Sequence, residues 1–124
     1  DAKLNIEDID YINAHGTSTP IGDKIEIESI KEIFSKNIDK IKMSSTKSSI
    51  GHLLGASGSV EAIYSILSIN NNKIPPTLNL DKPIQESKGL DLVPNNSIDH
   101  KVECVLSNSF GFGGTNASLI IKSI

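Results

Sequence analysis

The spacing of apolar positions changes several times along this chain, and each change marks an element. Ile9 to Ala14 alternates enough to make a short strand. Thr19-Pro20 then signals a helix start, with threonine as the N-cap and proline at the first helical position, where a missing N–H is no loss. From Ile21 onward, Ile25, Ile30, Ile33 and Phe34 recur at helical spacing, and Lys24, Glu28, Lys31 and Glu32 take the polar side. Ile41 to Ser45 reads as a second strand. Gly55 to Asn70 reads as a second helix, with Val60, Ile63, Tyr64 and Leu67 on one face and the asparagines from Asn70 to Asn72 ending it.

The residues before Ile9 look like a helix end and a turn. Lys73 to Ser97 is rich in loop signals, and Pro75-Pro76 must be extended because each proline restricts its neighbour. Val102 to Asn108 and Ala117 to Lys122 complete the strands. Phe110-Gly111-Phe112-Gly113-Gly114-Thr115 joins them as a glycine-rich hairpin. The order strand–helix–strand–helix–strand–strand, without repeats or low-complexity linkers, predicts an α/β layer architecture.

Composition narrows the function. A chain of 124 residues fits one domain or part of one. Its 20 isoleucines and absent tryptophan leave β-branched aliphatics to fill the core. A net charge of −3, with lysine as every basic residue, argues against a nucleic-acid surface and removes bidentate guanidinium readout. No apolar run has the length of a membrane span, and no signal peptide is evident. A lone cysteine forms no internal disulfide, which suits a reducing compartment.

Two histidines carry the chemistry. His15 follows the first strand and precedes Gly16, at the sheet edge where open α/β folds bind ligands. An imidazole there can donate to a developing oxyanion or move a proton, although an isolated His-Gly-Thr also serves as a turn cap. His52 lies between Gly51 and a helix, a setting that suits a neutral ring with its N–H directed outward, or a loop histidine packed on that helix. Lys47 either anchors a substrate carboxylate or organises the surroundings of His52. Glu61 interrupts an apolar helix and calls for a partner, from Lys47 or a cation. Cys104 alternates with Val102 and Leu106 and reads as a buried structural cysteine, and His100 as a surface residue. Neither zinc-ligand spacing nor a P-loop is present.

Asn13 to Asp23, Lys47 to Gly58, Pro75 to Leu80 and Ser107 to Asn116, taken in this order, resemble the β-ketoacyl-(acyl carrier protein) synthases, the condensing enzymes of fatty-acid synthesis. The pattern is most similar to the elongating synthase II type. The resemblance implies a thiolase-like fold, here a partial carboxyl-terminal half with a mixed sheet and helices, as one unit over 1–124. It implies that His15 and His52 are the catalytic histidines, donating to the malonyl thioester oxygen as it becomes an enolate, and that Lys47 organises the site. Thr17 and Thr19 match threonines on the pantetheine arm. Phe112 matches the phenylalanine that gates the acyl pocket, with Phe110 nearby.

No cofactor is required by this resemblance. A structural monovalent or divalent cation, which some members bind, would fall to Asn13, Glu61, Ser107 and Asn108, all oxygen donors. The implied partners are acyl carrier protein and, in the full-length protein, a second copy as homodimer, with neither nucleic acid nor membrane. The implied compartment is bacterial cytoplasm or plastid. The family's nucleophilic cysteine belongs to a motif that does not occur here, so this chain alone is expected to be inactive and to expose apolar surface. Ser57 stands where the family usually has an alanine, a change expected to matter little. The competing readings are a polyketide ketosynthase domain and a non-catalytic ketosynthase-like subunit.

Overall fold

The computed structural model describes residues 2–124 of the chain. Its strands are β1 (Tyr11–Asn13), β2 (Lys42–Ser44), β3 (Lys73–Ile74), β4 (Ile98–Asp99), β5 (Cys104–Phe110) and β6 (Asn116–Lys122). Its helices are α1 (Pro20–Ile33), α2 (Lys47–Ile50) and α3 (Ser57–Asn71). The main sheet is mixed, in the order β2-β1-β5-β6. β1 runs parallel to both β2 and β5, and β5 turns back into antiparallel β6. The α/β architecture and the glycine-rich hairpin predicted from the sequence are both present.

Alternation along the strands sends side chains to two faces. On one face Ile12, Met43 and Cys104 pack with Ile27, Ile30 and Phe34 of α1. On the other, Tyr11, Val102 and Val105 pack with Ile74 and Val93, and Ile69 of α3 lies against them. Cys104 is buried and free, and burial pushes its thiol above the ordinary range, as a structural cysteine requires.

Several element ends differ from the sequence reading. Residues 2–8 hold a single 3-10 turn, Ile6–Asp8, and Asp1 lies outside the described residues. The helix α2 was not anticipated, because four residues are too few to show a period. The segment after α3 gains the small antiparallel pair β3–β4. Asn72 ends α3 in the left-handed region, φ 49°, a conformation that asparagine tolerates. Thr19 is the N-cap of α1 by backbone geometry, yet its hydroxyl makes no cap bond and turns to Thr17 Oγ1 at 3.3 Å.

The helix faces are the main correction. In α1, Ile21, Ile25 and Ile33 are exposed, and the buried positions are Glu26, Ile27 and Ile30. In α3, the buried positions are Ser57, Glu61, Ser65 and Ser68, whereas Ile63, Ile66 and Leu67 face outward. Serine can occupy the sheet-facing side because its hydroxyl is satisfied within the helix. Ser65 Oγ donates to the Glu61 carbonyl at 2.8 Å and Ser68 Oγ to that of Tyr64 at 2.9 Å.

Candidate active site

The three parallel strands end at one edge, with Asn13, Ser44 and Ser107 in register across it. The chain that leaves each strand there carries a site residue: His15 after β1, Lys47 and His52 after β2, and Phe110 at the end of β5. The ring centroids of His15 and His52 are 5.4 Å apart, edge to face at 85°. Phe110 lies 5.5 Å from His15. The two sequence-distant histidines therefore converge, as a shared site requires.

His15 is held through its backbone. Its N–H donates to Glu26 Oε1 at 2.9 Å, and the N–H of Gly16 donates to Glu26 Oε2 at the same distance. Asn108 Nδ2 adds a third bond to Oε1 at 3.3 Å. Burial pushes the Glu26 carboxyl upward, while these N–H donors oppose that shift. Gly16 has φ +34°, and a Cβ there would come within 2.7 Å of Ser45 Cβ. Ser45 Oγ closes the loop by donating to the Gly16 carbonyl at 2.7 Å.

The sequence reading passed over Glu26. Its signal was an acid flanked by Ile25 and Ile27, four residues before the buried Ile30 and thus on the same side of the helix.

The His15 ring is neutral at physiological pH. Burial, then the charge of Lys47, then His52 lower its pKa to about 4. Its Nδ1 is buried without a hydrogen-bond partner.

His52 is set by a different device. After Gly51, at φ +75°, its Nδ1 lies 3.1 Å from the Leu54 N–H that donates to it. Ser57 Oγ lies 2.8 Å from the same nitrogen. With a backbone donor aimed at Nδ1, that nitrogen is an acceptor and the ring proton resides on Nε2. The outward N–H expected from the sequence is the one this hydrogen-bond pattern assigns.

Lys47 opens α2 and is buried, its Nζ paired with Glu61 Oε1 of α3. Between the two roles considered for Lys47, this pairing favours organisation of the site over capture of a substrate carboxylate. Glu61 finds the partner it needs.

Asn13 faces α3, its Nδ2 donating to the Glu61 carbonyl at 3.1 Å. Asn13 Oδ1 and Glu61 Oε2 are buried with no hydrogen-bond partner, and Ser107 is buried opposite Asn13. Such orphaned oxygens fit a hard cation. The side chain of Asn108 lies on the other face of the sheet, with Oδ1 accepting from Ser118 and Nδ2 donating to Glu26, so it does not join this group. Among the described residues, no cluster of three or more His, Cys, Asp or Glu side chains could hold a metal.

A cavity of about 420 Å³ opens beside the histidines, lined by Thr17, Ser45, Lys47, His52 and Leu78 among others. Thr17 lines it, and Thr19 is exposed beside Thr17. Phe112 stands fully exposed at the hairpin turn. His100 is half-buried outside the site, its N–H bonded to the Asn72 carbonyl at 2.9 Å. His52 lines this cavity and His15 lies against His52 across the 5.4 Å ring contact, and an imidazole N–H so placed can donate to an oxygen that gains negative charge.

Comparison with known proteins identifies the family and the fold. The family described as β-ketoacyl synthase, C-terminal domain, matches residues 1–81. The 3-oxoacyl-[acyl-carrier-protein] synthase 2 of Rhizobium meliloti is 56% identical over 121 residues, 98% of this chain and 28% of that protein. A solved β-ketoacyl synthase from Burkholderia phymatum superposes with a TM-score of 0.91 at 40% identity, covering 99% of this chain and 29% of that one. The ketosynthase of the type II polyketide complex AntDE:AntF, bound to its acyl-carrier protein and a hexaketide, gives 0.94 at 30% identity, covering 100% and 30%. The fold is thus the thiolase-like α/β fold of ketosynthases, and the chain spans less than a third of the length of these relatives.

Proposed function

The chain belongs to the β-ketoacyl synthase C-terminal domain family, and from that premise we propose that residues 1–124 act as one carboxyl-terminal unit, the histidine-bearing part of a decarboxylating condensing enzyme of fatty-acid elongation. The observation that carries this reading is the convergence of His15 and His52, with ring centroids 5.4 Å apart.

The proposed substrate is malonyl-carrier protein. Its C–CO2 bond breaks, CO2 leaves, and the electron pair enters the thioester as an enolate. The His52 Nε2–H and the neutral His15 donate to the enolate oxygen, where charge develops. The carbanion then attacks an acyl thioester held on a cysteine, and the thiolate is released. That cysteine lies outside these residues, since Cys104 is buried in the sheet core.

Lys47 holds the charge balance beside His15. Thr17 and Thr19 border the path of the pantetheine arm, and Phe110 and Phe112 the acyl side. A structural monovalent or divalent cation would be held by Asn13, Glu61 and Ser107, supplying positive charge to the unpartnered Asn13 Oδ1 and Glu61 Oε2.

The fatty-acid reading is favoured over polyketide synthesis by 56% identity to a synthase 2, against 30% to the polyketide ketosynthase. Acyl carrier protein is the proposed partner, supported by its presence on that ketosynthase. The proposed assembly is a homodimer. No helix among the described residues is long and apolar enough to cross a membrane, and the proposed compartment is bacterial cytoplasm or plastid.

The test is to give the intact protein bearing this chain acyl- and malonyl-carrier protein. The expected result is β-ketoacyl-carrier protein with one CO2 per turn. Absence of product, or product from these 124 residues alone, would overturn the reading.

A further inference from the structure

Segment 75–80 takes no part in the histidine chemistry, yet it is tied to the chain that does. Thr77 is half-buried where three segments meet. Its hydroxyl oxygen accepts the Ser45 N–H at 3.2 Å. Its own O–H donates to the Leu92 carbonyl at 2.9 Å. The Thr77 backbone is held as well, its N–H donating to the Val93 carbonyl and its carbonyl accepting the Asn95 N–H, both at 2.9 Å. Asp91 fixes the far side of these bonds, with Oδ1 accepting the Val93 N–H at 2.9 Å and Oδ2 paired with Lys42 at 3.0 Å. One residue on, the Leu78 N–H donates to Ser48 Oγ at 2.8 Å. The segment therefore lies along the chain that leaves β2, held at Ser45 and at Ser48.

Ser45 passes this support to the histidine turn. It is buried, and its Oγ donates to the Gly16 carbonyl at 2.7 Å. The two residues touch so closely that a Cβ on Gly16 would lie 2.7 Å from Ser45 Cβ, so a shift of Ser45 is felt at Gly16. Glu26 holds the N–H groups of His15 and Gly16 and leaves the Gly16 carbonyl to Ser45. Both supports matter, because glycine by itself restricts its backbone little. We propose that Thr77 is a positioning residue, whose hydroxyl seats Ser45 against the Gly16 carbonyl and so fixes the turn that carries His15 and Thr17. The proposal rests on the functional reading above only for its effect on rate.

Valine at this position keeps the branched shape and removes the hydroxyl. The Ser45 N–H and the Leu92 carbonyl then lose their partner. Glu26 still holds its side of the turn, so the turn loosens without unfolding. One hydrogen bond of this kind contributes modestly, and its loss corresponds to roughly a five- to tenfold fall in rate. Serine keeps the hydroxyl and should restore the wild-type behaviour. Ser45→Ala cuts the same link one step nearer to Gly16, so the two losses should not add.

The experiment uses the intact protein, with backbone hydrogen exchange read by mass spectrometry and malonyl decarboxylation measured alongside. Thr77→Val should speed exchange in the peptide that holds Ser45 and also in the one that holds His15, Gly16 and Thr17. Its kcat/KM should fall by the factor given for one hydrogen bond. Thr77→Ser should return both readouts to wild type. Ser45→Ala should speed exchange at the His15 turn on its own, and the double variant Thr77→Val, Ser45→Ala should lose no more rate than the worse single one. Faster exchange at Ser45 alone, with the His15 turn unchanged, would overturn the proposal. So would a double variant whose rate falls by the product of the two single losses. If the wild type decarboxylates no malonyl thioester at all, the functional reading fails, while exchange at the His15 turn still decides the role of Thr77.

Discussion

Glu26 receives the backbone N–H groups of His15 and Gly16, one on each carboxylate oxygen, both at 2.9 Å. A helix thus holds the turn on which the His15 imidazole is mounted. Removing the carboxylate strands two donors in a part-buried turn. Glu26→Ala is expected to destabilise by about 2–4 kcal/mol, since each stranded buried N–H costs roughly 1–3 kcal/mol. Glu26→Gln keeps one acceptor oxygen and should lose less. Urea unfolding of the two variants, beside their decarboxylation rates, checks the order Ala worse than Gln.

Lys47 and Glu61 form a pair in which both side chains are almost wholly buried. Lys47→Met leaves a carboxylate buried without its counter-charge and should cost about 3–5 kcal/mol. Adding Glu61→Met removes that charge as well, so the double variant should be more stable than Lys47→Met alone. Thermal midpoints of the single and double variants measure the coupling. A double variant less stable than Lys47→Met would contradict the pairing.

His15 gives the site its own pH signature. Its ordinary pKa of 6.5 falls to about 4 in the fold, because burial and the Lys47 charge oppose a second proton. Between those values the unfolded chain binds this proton and the folded one does not. Stability therefore falls as pH drops from 6.5 toward 4. His15→Gln removes this contribution, so its unfolding midpoint should vary less with pH across that window than the wild type. A difference between the two proteins that is independent of pH would refute the assignment.

The two histidines, the strand ends that carry them and the buried cysteine were legible because each left a local mark: an apolar run, a glycine, an alternation. The helix faces were not. Apolar spacing in α3 points to Ile63, Tyr64 and Leu67, yet the sheet meets Ser57, Glu61, Ser65 and Ser68. Periodicity finds the apolar stripe of a helix but does not say which face meets the sheet. Here the face toward the sheet is the one that supplies the Lys47 partner and the His52 anchor. Glu26 was missed for the same reason, as a charged residue on the inward side of α1. Ser57 reads as a small substitution in the sequence, and its hydrogen bonds to His52 Nδ1 and from the Leu53 N–H are made only in the fold. Phe112, placed beside the site by resemblance, stands in solvent in this chain, and only Phe110 reaches His15.

Two glycines separate close approach from backbone freedom. At Gly16 an added Cβ would meet Ser45 Cβ at 2.7 Å, whereas at Gly51, with φ +75°, nothing lies within 4 Å. Gly51 combines φ 75° with ψ 179°, a region essentially confined to glycine, so Gly51→Ala should lose about 1–3 kcal/mol through backbone strain alone. Gly16→Ala should lose more and also displace His15. Comparing stability and decarboxylation for both variants checks this: Gly16→Ala should lose activity out of proportion to Gly51→Ala.

The central claim is that His15 and His52 together stabilise the enolate oxygen during decarboxylation. The most direct measurement is CO2 release from malonyl-carrier protein by the intact protein, with His15→Ala, His52→Ala and the double variant side by side. Removing one such donor typically lowers the rate by about 10²–10³-fold. Each single variant should fall by that order while still binding malonyl-carrier protein, and the double should fall by less than the product of the two, as for groups that act as a unit. Wild-type CO2 release from either single variant would contradict the account.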